Sequence, residues 1–407
     1  MNKPYILNPN MTLPTLNTNP ATHKPKTPVA ESSVEAIVAA PTPPKANPVV
    51  VPPARALPRP HIDPNKPMLK LGLDVHLESV MVVGQHHHAS PHAPRKFTRA
   101  QLVEYVRQHV AKGFQVFCVQ ESCGFGFVLH RELVAAGAQS FLITPVALSG
   151  KRKTDKLDAR ALCQRLTRFL DGNHEELATI RIPSETEQRR RETTRRRRFL
   201  KEEIRRLANR GHALVAEYRH EVLASGWWGP RKWKKLTNAL GALNWWLLGV
   251  LENLRELILA VDRQLKEMDQ ELLQRVEGQS RPKGLGELTL VTLDAEICEW
   301  GRFNNRKQVG SYTGCCPGEH SSGGQRRVGA IDRMGNSCVR ALLVEAVWRF
   351  LKWQPGWKAA ARMKVKLADG PSLRKKAVVA LARQLAVDLW RWRTGRCTLD
   401  DLGLIEA

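Results

Sequence analysis

Lys153-Thr154-Asp155-Lys156-Leu157-Asp158-Ala159-Arg160 sets two carboxylates three residues apart, directly after an apolar strand-like run, in a chain that is otherwise strongly basic. Residues at i and i+3 share one face of a helix, so Asp155 and Asp158 address the same small volume. Two like charges held that close call for a counter-ion. A hard divalent cation with oxygen ligands, Mg2+ above all, suits a chain that handles phosphate. A plainer reading stands beside this one: Asp155 as a helix N-cap and Asp158 as a first-turn acid at the positive end of the helix dipole. The company these residues keep decides between the two.

Upstream, Leu69-Lys70-Leu71-Gly72-Leu73-Asp74-Val75 alternates leucines, which reads as a strand with one buried face and Asp74 near its end. Val80 to Val83 follows closely enough to be its hairpin partner. A short run around Phe97, a helix from about Arg99 to Lys112, and a strand Val116–Glu121 come next, the strand ending in a carboxylate before Gly124 and Gly126. A helix to about Ala136 and a strand Phe141–Thr144, closed by Pro145, complete the unit. Two antiparallel strands followed by strand–helix alternation predict a mixed α/β sheet. Asp74 and Glu121 fall at or near strand C-termini, the edge where the sites of such sheets assemble. Each alone is an ordinary solvated turn acid. With Asp155 and Asp158 added, four carboxylates converge. The histidines His86, His87, His88 and His92 are read as a solvated loop, because a run in a polar turn has no fixed ligand geometry.

At 407 residues the chain has room for two or three domains. Its 64 Lys+Arg against 39 Asp+Glu give a formal charge of +25, which predicts a polyanionic partner. Nucleic acid is favoured over membrane, since the most apolar segment, Trp245 to Val261, is interrupted by Glu252, Arg255 and Glu256. No secretory signal is read at the N-terminus, and the eight cysteines form no CxxC pair, so reduced thiols in a cytoplasmic protein without structural zinc are expected. Residues 1–67 hold 16 of the 25 prolines and hardly an aromatic, which predicts a disordered arm.

Downstream, Arg189-Arg190-Arg191 and Arg195-Arg196-Arg197-Arg198 read as a basic helix suited to phosphate contact. Leu236, Leu240, Leu243, Leu247, Val250, Leu254, Leu257, Val261, Leu265, Met268 and Leu272 step by fours and threes, a heptad-like seam that predicts one long helix in an antiparallel hairpin that also helps oligomerisation. Trp227, Trp228, Trp233, Trp245 and Trp246 cluster at its start and are read as core packing. Pro282 to Thr289, with Gly284 and Gly286, resembles the turn of a helix-hairpin-helix, where backbone amides approach phosphate. Then comes Gly314-Cys315-Cys316-Pro317-Gly318-Glu319-His320-Ser321-Ser322-Gly323-Gly324, a Ser/Gly loop followed by Arg326 and Arg327, with Gly335-Asn336 leading into a helix Cys338–Trp353. On residue chemistry alone this is a plain turn before it is a nucleophile. A last helix, about Leu373 to Trp392, pairs an apolar face with lysines and arginines.

Leu71-Gly72-Leu73-Asp74, the Glu121 strand end and Thr154 to Arg160 resemble the Asp-Glu-Asp-Asp set of an RNase H-like, resolvase-like domain, in the form found in DEDD transposases of the insertion-sequence one-ten family. The family's second mark is a Pro-x-x-x-x-Ser-Gly loop with a Gly-Asn helix start, and Pro317 to Gly323 with Gly335-Asn336 resemble it. The resemblance runs from about residue 69 to 395 and departs from the family at Thr313-Gly314-Cys315-Cys316, where a more aliphatic run is usual. It implies Asp74, Glu121, Asp155 and Asp158 as Mg2+ ligands and Ser322 as nucleophile, with Ser321 as the fallback. It also implies a homo-oligomer (dimer or tetramer) acting on DNA, guided by a structured noncoding RNA. Four parts are expected: a Pro-rich arm to 67, an RNase H-like domain at 68–180, a basic coiled-coil-like region at 181–280, and a mainly helical domain at 281–407 carrying the serine loop. Two alternatives stay open: a junction-resolving nuclease whose carboxylates activate water, and a catalytically silent nucleic-acid-binding protein.

Overall fold

The computed structural model describes residues 60–145, 154–240, 244–319 and 327–407. The predicted strands all form. β1 (Met68–Val75), β2 (Val80–His86) and β3 (Arg95–Phe97) make an antiparallel meander. After α1 (Arg99–Ala111), β4 (Gln115–Glu121) pairs parallel to β1, and after α2 (Val128–Ala135), β5 (Gln139–Ile143) pairs parallel to β4. The sheet order is β3-β2-β1-β4-β5. Residues 61 and 63 hydrogen-bond to the side chains of Gln139 and Gln115, so the last residues of the expected arm lie against the sheet. The rest of that arm is outside the described residues. His86 ends β2 with its ring 5.1 Å from that of His92, while His87 and His88 are exposed.

Alternation sorts the sheet's two faces. Leu69, Leu71, Leu73, Val116 and Cys118 pack with Leu102, Val106, Leu129 and Leu133 of α1 and α2. Phe117, Val119, Phe141 and Ile143 pack instead with Leu162, Leu166 and Phe169 of α3 (Asp155–Leu170). Gly72 lies on that second face, where a Cβ would come 2.9 Å from Cys163 Cα and closer still to Ala159 O and Cys163 N. Only the missing side chain lets α3 lie this close to β1.

The middle region departs from expectation in two respects. The seam from Leu236 to Leu272 belongs to two helices, α5 (Pro230–Leu240) and α6 (Trp245–Gln274), after α4 (Glu185–Arg219). Gly241 and Asn244 are poor helix-interior residues, and Asn244 takes a non-helical φ of −147° as the N-cap of α6. Arg197 pairs with Asp269, and Tyr218 meets Trp246 edge-on at 5.3 Å, so α4 and α6 run antiparallel as predicted. Trp227 is buried in their shared core with Nε1 donating to Ala208 O at 3.3 Å, whereas Trp245 and Trp246 are exposed.

The C-terminal region is mostly helical: α7 (Glu287–Ile297), a 3-10 turn Trp300–Arg302, α8 (Arg306–Thr313), the ribbon β6 (Pro317–Glu319) and β7 (Val328–Ile331), α9 (Ser337–Trp353), the short α10 (Lys358–Arg362) and α11 (Lys364–Ala368), α12 (Pro371–Arg393) and α13 (Leu399–Leu402). Leu293, Phe350, Trp357, Leu381, Leu385 and Trp390 are among its core. One buried acid ties this region to α4. Glu296, fully buried on α7, accepts from Arg195 Nε at 2.9 Å and from Asn336 Nδ2 at 2.9 Å, with Arg191 Nε 3.6 Å away. Burial pushes its carboxyl upward, but these hydrogen bonds and the two guanidinium charges prevail and hold it below its ordinary value of 4.5. A depressed carboxyl stabilises the fold above its unfolded value and loses that contribution as pH falls through the lower folded value. Glu296→Gln is therefore expected to melt below wild type at neutral pH by the equivalent of about 2–4 kcal/mol. The gap should narrow as a calorimetric series descends through pH 4.5.

Candidate active site

The C-terminal ends of β1 and β4 lie side by side. Leu73 pairs with Gln120, so Asp74 and Glu121 each stand one residue further along adjacent strands, on the face that carries α3. In α3 the cap is Thr154, not Asp155: its hydroxyl accepts from Leu157 N, and its φ of −145° lies outside the helix. Asp155 and Asp158 occupy the first turn, where the helix dipole favours negative charge. The plainer reading is thus correct about the dipole and wrong about the cap.

What it omits is the strand end opposite. Asp74 Oδ2 lies 3.2 Å and Asp155 Oδ2 3.3 Å from the same atom, His76 Nε2, and these three groups offer ligand atoms within 4.8 Å of one another. Burial raises the Asp74 carboxyl; His76 opposes this, and the neighbouring carboxylates of Asp155 and Asp158 add to it. That mutual repulsion places Asp158 within electrostatic reach of Asp74. A cation would relieve this crowding, and two carboxylates with an imidazole form a donor set that holds divalent metals. Asp74 and Asp155 thus come together; Glu121, at the end of β4 beside Asp74, and Asp158, a turn further along α3 than Asp155, lie outside that group of ligand atoms. Sequence reading missed His76. Its only signal is its position two residues beyond Asp74, which keeps both side chains on one side of an extended chain.

The serine loop joins β6 to β7, whose register pairs Pro317 with Ile331 and Glu319 with Val328. Ser321 and Ser322 lie outside the described residues; the flanking ribbon of β6 and β7 is tied to its surroundings at its base. Asp332 N donates to Cys316 O at 2.8 Å and Asn336 N to Tyr312 O at 2.7 Å. Asn336, predicted as a helix start, caps α9 through its Oδ1 while its Nδ2 reaches Glu296 and the Tyr312 hydroxyl. Glu296 was not singled out in the sequence either. It is an acid in an apolar run, and Arg195 is 101 residues away along the chain.

Residues 280–362, which include this hairpin, match the model of the transposase IS116/IS110/IS902 family. A protein of Sinorhizobium fredii whose name assigns it as a transposase, y4rJ, is 30% identical over 328 residues, covering 72% of this chain and 81% of the relative. The transposase for insertion sequence element IS1111A of Coxiella burnetii is 27% identical over 350 residues, 80% of this chain and 91% of that one. The transposase for insertion sequence element IS1328 of Yersinia enterocolitica is 22% identical over 286 residues, 68% of this chain and 81% of the relative.

Proposed function

This chain belongs to the IS116/IS110/IS902 family of transposases, DNA-processing enzymes, and from that premise we propose that it excises and inserts its element by Mg2+-assisted attack of Ser322 on DNA phosphodiesters. The observation that carries the reading is the meeting of Asp74 and Asp155, with His76 between them, where β1 ends and α3 begins. Sheet order β3-β2-β1-β4-β5, with acids at the ends of β1 and β4 and on the following helix, supports an RNase H-like catalytic domain. In that domain Asp74, Glu121, Asp155 and Asp158 would hold Mg2+. A bound Mg2+ supplies Lewis-acid stabilisation of charge on the phosphoryl oxygens.

The remaining steps belong to the chain's own residues. Ser322 Oγ bonds to phosphorus, the P–O3′ bond breaks, and the serine proton ends on the departing 3′ oxygen. The resulting phosphoserine ester conserves the bond for rejoining, so strand transfer needs no nucleotide. The hairpin base, pinned through Asn336 and Glu296 to α4, fixes where the loop emerges. The formal charge of +25 fits simultaneous engagement of element DNA, target DNA and a structured guide RNA. A homo-oligomer (dimer or tetramer), in which one subunit's sheet edge meets another's serine loop, completes the proposal. No described helix is long and apolar enough to cross a membrane; DNA as the substrate supports a bacterial cytoplasmic, nucleoid-associated protein.

The test is cleavage of junction DNA carrying the element's ends, with Mg2+ and flank-derived RNA, on a denaturing gel before and after protease. A protease-sensitive shifted band is expected from wild type and Ser321→Ala, and none from Ser322→Ala. Free nicked product from Ser322→Ala, lost in Asp155→Ala, would instead identify a water-activating nuclease.

A further inference from the structure

The arginine-rich helix and the glycine turn, neither of which the strand-transfer chemistry uses, meet in one cleft. A cavity of about 760 Å3 lies between α4, the first turn of α7 and α9. Part of the arginine run is already paired. Arg191, Arg195 and Arg197 are taken up by Glu296 and Asp269. Arg198, Lys201 and Arg205, spaced by three and four, line the cleft together, and Arg349 joins them from α9.

None of these four has an ion pair among the described residues; Arg349 donates to Thr289 Oγ1 at 3.3 Å, and Arg198 hydrogen-bonds the Cys338 thiol. Of the other charged groups lining the cleft, Arg197 is neutralised by Asp269 and Glu287 by Arg281 at 2.9 Å, which leaves Glu202 and Glu345. Four cations face two anions. α7 opens into the cleft at Gly286 with no side chain capping it; Thr289 N donates to Gly286 O at 3.0 Å, and the amides of Glu287 and Leu288 are unclaimed by a cap. The turn before it is rigid. Gly284 sits at φ +91°, Lys283 N donates to Ile405 O at 2.8 Å, and Gln354 Nε2 donates to Lys283 O at 2.8 Å.

We propose that this cleft grips the phosphodiester backbone of a nucleic-acid strand, through Arg198, Lys201, Arg205 and Arg349, with the α7 amides as a fixed anchor. The α4 stripe spans about 10 Å at the rise of a helix. That length corresponds to about three nucleotides at the axial rise of one strand, and exceeds a lone phosphate. Contacts of this kind fix register and carry no sequence information. The inference rests on the transposase reading for its ligand, but not on the serine chemistry.

The experiment is fluorescence-anisotropy titration of the full chain with a short DNA duplex and, separately, a short RNA duplex across a salt series. The variant is Arg198→Ala/Lys201→Ala/Arg205→Ala; Lys96→Ala/Arg107→Ala/Lys112→Ala removes equal charge elsewhere. The cleft variant is expected to bind one duplex about tenfold or more weakly, with a salt slope shallower by about two to three. The control should bind that duplex as wild type does, and the duplex affected identifies the strand. Melting of the triple variant is measured to check its fold, and Arg349→Ala, from the facing helix, is titrated alongside; a smaller loss on the same duplex is expected. Amides of Glu287 and Leu288 should also gain hydrogen-exchange protection in the complex. Equal binding by cleft variants and control on both duplexes would overturn the proposal. The transposase reading would survive that result, because the gel assay with Asp155→Ala and Ser322→Ala scores it independently.

Discussion

Asp155→Asn is expected to lower strand cleavage by about a thousandfold or more while leaving the melting temperature within about a degree of wild type. The activity loss follows from the position of the carboxylate, 3.3 Å from His76 Nε2 and facing Asp74 across the sheet edge. Losing one ligand of a hard cation forfeits several kcal/mol of transition-state stabilisation, and each decade of rate corresponds to about 1.4 kcal/mol. The small stability effect follows from two opposed terms. A first-turn acid contributes about 0.3–1 kcal/mol through the helix dipole. Against this, removing the Asp155 charge relieves repulsion on the half-buried Asp74. Thr154, which is untouched, still caps the helix. Were Asp155 only a first-turn acid, stability would fall slightly and cleavage would be unchanged. A single-turnover cleavage time course set beside a thermal melt separates the cases.

The second large effect is structural. Gly72→Val is expected to cost about 3 kcal/mol or more, at the upper end of overpacking penalties. All three close neighbours of the missing Cβ are backbone atoms of α3, which cannot turn aside as a side chain does. For a chain of 407 residues that predicts a fall in melting temperature of about 4 °C or more. Cleavage should fail even below the midpoint, because pushing α3 off β1 carries Asp155 and Asp158 away from Asp74. Gly84→Ala is the comparison, since a Cβ there meets Leu71 Cδ2 at 3.4 Å and only side-chain atoms must give.

Much of this was legible because local chemistry and fold agree. The leucine alternation of β1, the carboxylate closing β4 and the acid pair opening α3 are short-range signals, and the sheet order brings their ends together. What escaped depends on long-range partners. His76 stands in a polar turn with no pattern of its own and gains meaning only when α3 brings Asp155 to it. The sequence seam keeps its steps of threes and fours from Leu240 to Leu247, so periodicity hid the start of α6 that Asn244 marks as its N-cap. Seven arginines in ten residues look alike in sequence. That Glu296 and Asp269 take up Arg191, Arg195 and Arg197, while Arg198 stays open to the cleft beside Lys201 and Arg205, appears only once α6 and α7 are packed.

The central claim is that the sheet edge is a metal centre, and Mn2+ titration followed by electron paramagnetic resonance tests it without requiring turnover. Wild type is expected to take up Mn2+ with nitrogen coupling from His76, the coupling disappearing in His76→Ala and the uptake itself in Asp74→Asn and in Asp155→Asn. Identical Mn2+ binding by wild type and the two aspartate variants would contradict it, and would mean that Asp74 and Asp155 are held together by His76 for the fold alone.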